Sequence, residues 1–114
     1  MASKTDERVE AFRTSYLSNL IDTYHPTHVL LFGSRAKGNA LKESDFDLLV
    51  VSKSFEGIPF IQRTAHLLSN LKVPFPIEVL CYTPEEYERK RKEIGIVRIA
   101  SQEGVDLLGD KDRE

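Results

Sequence analysis

Cysteine is almost absent. A single Cys81 in 114 residues cannot form an internal disulfide, so a reducing compartment, the cytoplasm, is the expected setting. Long apolar runs are missing too: none approaches the roughly 20 residues that cross a bilayer. The first residues, Met1 to Glu7, lack the apolar core of a secretory signal. Neither charge sign dominates. Lys and Arg number 16 against 18 Asp and Glu, a formal net charge of -2, which argues against a dedicated nucleic-acid binder. Asn, Gln, Cys and Met are few beside Lys, Arg and Glu, a weak leaning towards a thermophile. Both familiar phosphate loops, G-x-x-x-x-G-K-[ST] and G-x-G-x-x-G, are absent. So are internal repeats and any linker long enough to separate a second domain. The expectation is one domain over residues 1–114 with a charged tail at 109–114 and one modest core.

What is present alternates between helical and strand patterns. Val9, Phe12, Tyr16, Leu17, Leu20, Ile21 and Tyr24 recur at three- and four-residue spacing and predict one helix over 6–24, stopped by Pro26. His28 to Phe32 is short and almost wholly apolar, which fits a buried strand. A second strand is expected over 45–52. Pro59 opens a helix carrying Phe60, Ile61, Thr64, Leu67, Leu68 and Leu71, and a third strand follows over 77–82. Thr83-Pro84-Glu85-Glu86 combines an N-cap, a first-turn proline and a capping-box glutamate, so a helix should run from there to about residue 94. A last helix is expected over 96–103, with an edge strand within 105–108.

Two places along this pattern carry chemistry. Gly33-Ser34 ends the first apolar run, and Arg35 and Lys37 follow at once. A strand feeding a glycine turn and a helix start can bind an anion, because free N–H groups and the helix dipole face the ligand. Alone, such a turn is more often an ordinary connection. Asp45 and Asp47 flank Phe46 where the second apolar run begins. On a strand, residues two apart project from one face, so the two carboxylates would stand together and call for a cation. The competing reading leaves both in the loop before the strand. Glu78 lies in the third strand between Ile77 and Val79. If that strand lies beside the second, Glu78 joins the aspartates in a cluster able to bind Mg²⁺.

Taken together, G-S-x(10)-D-x-D followed by an acidic residue in a later strand resembles the DNA polymerase beta-like nucleotidyltransferase superfamily. It is most similar to the shortest members, the minimal nucleotidyltransferase (MNT) domains. The likeness runs from the leading helix through Phe32-Gly33-Ser34-Arg35-Ala36-Lys37-Gly38 and Ser44-Asp45-Phe46-Asp47-Leu48, then Glu78, to Glu103-Gly104-Val105-Asp106-Leu107-Leu108. It implies an α/β fold: a small mixed sheet of three to four strands, helices mainly on one face, and the first two strands antiparallel around the active site. It implies that Asp45 and Asp47 hold Mg²⁺, two ions, between the nucleotide phosphates and an attacking hydroxyl. Gly33, Ser34 and Arg35 would grip the β- and γ-phosphates of an NTP, most naturally ATP. Glu78 would bind the metal nearer the hydroxyl and assist its deprotonation. The family more often has aspartate at the Glu78 position, and the extra methylene moves the carboxylate by about a bond length. A misplacement of that order costs about a hundredfold in rate where nothing compensates.

The resemblance also implies a biological role. Many minimal domains resemble the antitoxin half of a toxin–antitoxin pair and AMPylate a HEPN-type ribonuclease toxin, typically on tyrosine. A chain this short is expected to take its acceptor specificity from such a partner or from a homo-oligomer interface. Two rivals stand beside that reading: a nucleotide-sensing or toxin-binding module without turnover, and a transferase acting on a small molecule or an RNA end. Elsewhere the residues read blandly. Arg89-Lys90-Arg91-Lys92 follows Glu85, Glu86 and Glu88 and fits a solvated, salt-bridged face, with an acidic partner as the lesser reading. His25, His28 and His66 show no metal-ligand spacing. Cys81 and the tyrosines Tyr16, Tyr24, Tyr82 and Tyr87 read as packing residues, although an exposed tyrosine could accept a nucleotide.

Overall fold

The apolar run His28–Phe32 becomes β1, one of two inner strands of a four-stranded mixed sheet. The protein is seen in a computed structural model that describes residues 7–33 and 46–109. β2 (Asp47–Val51) runs antiparallel to β1, and β3 (Glu78–Tyr82) runs parallel to β2. The two-residue β4 (Val105–Asp106) closes the far edge against β1, giving the order β3-β2-β1-β4. Neighbours β1 and β2 pair antiparallel as the resemblance implied.

Among the described residues five α-helices flank this sheet: α1 (Glu7–Ser15), α2 (Leu17–Tyr24), α3 (Phe60–Leu71), α4 (Pro84–Lys90) and α5 (Ile96–Glu103). Side chains alternate between the sheet's faces, so each strand feeds two cores. Val29, Leu31, Leu48, Val50, Val79 and Cys81 pack against Phe12, Leu20, Leu67 and Leu71 of α1, α2 and α3. Leu30, Phe32, Leu49, Val51 and Tyr82 pack against Tyr87 of α4 and Val97 and Ala100 of α5. Burial on both faces explains why the strands are apolar without alternation. Most of the helical mass thus lies on the first face, and two short helices partly roof the second.

Two helical expectations are refined. The helix predicted over 6–24 is two helices that meet at Tyr16, where φ widens to -122°. Thr14 and Ser15, both weak helix formers, immediately precede that point. Hydrogen bonds from Tyr16 N–H to Phe12 and from Leu20 N–H to Tyr16 persist, so the apolar stripe continues across the joint. α4 ends at Lys90 rather than near residue 94, and turns lead from there into α5.

The β3 edge is closed by side chains. Glu78 N–H donates to Phe46 and Ser52 N–H donates to Tyr82 O, so residues 78, 80 and 82 turn their backbone groups towards β2. Those of Val79 and Cys81 point outward. Thr64 Oγ1 donates to Val79 O at 2.9 Å, and Arg63 Nη1 donates to Cys81 O at 3.1 Å. Arg63 is buried, and it also donates to Ile58 O and makes two bonds to Glu86, at 2.6 and 3.2 Å. Glu86 in turn accepts from Thr83 N–H, completing the capping box expected from the sequence. One ion pair thereby joins α3, β3 and α4. An edge strand whose outward carbonyls are satisfied is a poor template for pairing with another chain.

Candidate active site

The site grows from Phe46. Its ring is fully buried in the first core, 5.5 Å from Phe12 and 5.3 Å from Phe75, centroid to centroid. Alternation then sends the next side chain, Asp47, to the opposite face. There Asp47 lies across from Phe32 on β1 and directly across from Glu78 on β3. In a parallel pair, residues in register share a face, so the two carboxylates stand side by side at the heads of β2 and β3. Asp47 is half-buried and Glu78 is exposed. The expectation that β3 lies beside β2 and brings Glu78 to the aspartate is met for Asp47.

Gly33 completes what is described of the site. It follows β1 with φ of 80°, a conformation that side chains disfavour. A Cβ built there would sit 2.7 Å from Asp47 Oδ2. Glycine is therefore required twice over, by backbone and by space, and the bare backbone lies against the carboxylate. Ser34, Arg35 and Asp45 lie outside the described residues. Among the described residues no three His, Cys, Asp or Glu side chains converge on one point. The pair Asp47 and Glu78 offers only hard oxygen donors, the ligand type that suits Mg²⁺.

The remaining candidates take structural places. His28, at the opposite end of β1, sets Nδ1 3.0 Å from Asp106 Oδ2 and lies 5.1 Å from the Tyr87 ring. Burial alone would raise the Asp106 carboxyl. The hydrogen bonds from His28 and from the N–H groups of Leu108 and Val29 outweigh that and hold it below its ordinary value. Burial pushes the Cys81 thiol up to about 12, which makes it inert. Tyr24, Tyr82 and Tyr87 are buried, and burial raises Tyr82 and Tyr87 above the ordinary phenol value. Arg91 pairs with Glu88 at 2.9 Å on the exposed side of α4, as a solvated face requires. His25 and His66 are exposed.

A family model described as a nucleotidyltransferase domain matches residues 15–106. The chain belongs to that nucleotidyltransferase family. The matched span holds all six residues of the G-S-R…D-x-D…E pattern. Among solved structures, a Sulfolobus solfataricus protein described as a nucleotidyltransferase superposes with a TM-score of 0.53 at 20% identity, over 78% of this chain and 85% of its own. BolA1 from Arabidopsis thaliana superposes with a TM-score of 0.50 at 22% identity, over 72% of this chain and 98% of its own. The BolA domain of Arabidopsis SufE1 gives 0.51 at 19%, over 73% and 99%. These likenesses concern the fold, which is shared by proteins with different names, so function rests on the site. No curated protein sequence matches the chain. Among the described residues, no helix is long and apolar enough to cross a membrane.

Proposed function

We propose that this nucleotidyltransferase domain moves AMP from ATP onto a hydroxyl of a separate protein, of the HEPN toxin type, as the antitoxin of the pair. The observation that carries the catalytic reading is the register of Asp47 with Glu78 beside the side-chain-free Gly33. Asp47 and Glu78, with Asp45 from the same motif, would hold Mg²⁺. When bound, the cation supplies charge neutralisation for the triphosphate and for the pentacovalent phosphorus. Gly33 would let the backbone approach closely, the Ser34 hydroxyl would donate to the β- and γ-phosphates and Arg35 would neutralise their charge. Glu78, the more exposed carboxylate, takes the proton from the acceptor hydroxyl. The oxygen then attacks the α-phosphorus, the bond to the β-phosphate oxygen breaks, and pyrophosphate leaves in line.

The acceptor is read as a protein from the resemblance to the minimal nucleotidyltransferase domains. The net charge of -2 disfavours an RNA end. The test incubates the protein with Mg²⁺, labelled ATP and the product of the adjacent gene. Label on that protein, lost with Asp47→Asn, is the expected result. A stable complex without label under any metal or NTP would favour a binding module without turnover. Label on RNA or on a small molecule would overturn the protein acceptor.

A further inference from the structure

The second face of the sheet carries a feature that nucleotide transfer does not use. Glu78, Leu80 and Tyr82 share that face along β3, so a line runs from the carboxylates to Tyr82 over about 13 Å at 3.3 Å per residue. At the Tyr82 end, Tyr82, Lys90, Glu93, Ile94, Ile96 and Val97 line a cavity of about 110 Å³. The Phe60 ring lies 5.2 Å from the Tyr82 ring. Ile99 follows Ile96 by three residues on the same side of α5. Phe60, Ile94, Ile96 and Ile99 are 42%, 94%, 53% and 50% exposed, an unusual concentration of large apolar side chains on a domain this small.

The chain around this patch leans basic, although Glu93 lines the cavity together with Lys90. Residues 89–98 hold five basic side chains, Arg89, Lys90, Arg91, Lys92 and Arg98, against one acidic, Glu93, in a chain whose net charge is -2. Arg91 is engaged by Glu88. Lys90 reaches the cavity itself, and Lys92 is exposed two residues further along the chain. Branched aliphatic groups inside a basic rim complement a segment that is apolar on one side and acidic on the other. Nucleic acid would call instead for several exposed aromatic stacking platforms, and of the two rings at this patch only Phe60 is exposed, Tyr82 being buried.

We propose that this surface is the acceptor's docking site, taking an acidic, aliphatic polypeptide segment of the partner protein. The proposal rests on the reading that the acceptor is a protein. The segment seats its aliphatic side chains on Ile94, Ile96 and Ile99 and its carboxylates on Lys90 and Lys92. The partner's hydroxyl-bearing region then extends along the β3 face to Asp47 and Glu78. Because the β3 edge is closed by Thr64 and Arg63, the segment binds through side chains on the face and not by adding a strand.

A displayed library of random linear peptides, panned on the intact protein, tests this without knowing the partner. Ile96→Glu places a carboxylate in the first turn of α5, which the helix dipole favours, so that variant keeps its fold, as a thermal melt will show. The expected result is enrichment of peptides that combine Asp or Glu with Leu, Ile or Val. Their retention falls about tenfold or more with Ile96→Glu and with Lys90→Glu, and is unchanged with Asp47→Asn. That last variant separates the two readings, because a protein that transfers nothing can still select these peptides. The proposal is overturned by absence of enrichment, by peptides without acidic bias, or by equal retention on Ile96→Glu. It is also overturned if single-stranded RNA binds here and is lost with Lys90→Glu alone. Self-association of the wild type, abolished by Ile96→Glu in sedimentation, would assign the surface to a second copy and overturn it too.

Discussion

The two ends of β3 treat acidic side chains in opposite ways. Beyond its C-terminal end, Glu86 is answered by Arg63 and Thr83, and the Arg63 bond holds its carboxyl below the ordinary range. At its N-terminal end, Glu78 stands in register with a second carboxylate, Asp47. The first arrangement is how a fold joins distant segments, since a buried guanidinium is tolerated only when its donors are used. The second sets two carboxylates side by side at the rim of a sheet, an arrangement that favours a cation between them. Acidic residues thus serve assembly at one end and, in the proposed function, chemistry at the other.

Substitutions can break each half of that contrast separately. Asp47→Asn should lower nucleotide transfer about a thousandfold or more, as expected when a charge held for the transition state is removed. Its denaturation midpoint should shift far less than that of a variant that breaks the Arg63 network. Arg63→Met should do the reverse. It leaves Ile58 O and Cys81 O without that donor and Glu86 with the Thr83 N–H alone, and should cost about 3 kcal/mol in urea unfolding. Transfer per folded molecule should be unchanged.

Much of the catalytic end was legible beforehand. Strand alternation put Asp45 and Asp47 on one face, but Glu78 could join them only if β3 lay beside β2, a strand order that came from the family resemblance; residue types alone marked the Thr83–Glu86 cap. Arg63 was not legible. On α3 it looks like any polar residue of an amphipathic helix, and its burial depends on Ile58, Cys81 and Glu86, up to 23 residues away. The joint at Tyr16 was hidden for the opposite reason, because the apolar spacing continues across it. The shortened α4 shows the same limit at a helix end, where Arg89-Lys90-Arg91-Lys92 favours helix by composition yet the chain turns after Lys90. Ser34, Arg35 and Asp45 rest on the sequence motif, since they lie outside the described residues.

Smaller effects sharpen the contrast further. Gly33→Ala forces a Cβ onto Asp47 Oδ2 and a side chain into φ of 80°. It should cost about 1 kcal/mol of stability and about a hundredfold in transfer, through a displaced carboxylate. Asp106→Asn addresses an acidic group of the assembling kind, at the opposite end of β1 from Gly33. Its carboxyl is held below its ordinary value of 3.8, so its contribution is present above that pH and is lost as pH falls through the folded value. The variant should therefore be less stable than the wild type at pH 7 by about 1 kcal/mol or less. The gap should close in unfolding curves taken at progressively lower pH.

The central claim, that Asp47 and Glu78 form one cation site, needs no acceptor to test. Titration of Mn²⁺ into the protein with a non-hydrolysable ATP analogue, followed by electron paramagnetic resonance, reads free and bound metal directly. Nucleotide-dependent uptake that is weakened about tenfold or more both by Asp47→Asn and by Glu78→Gln is the predicted result. Uptake equal to that of the analogue alone, or untouched by either substitution, would contradict it.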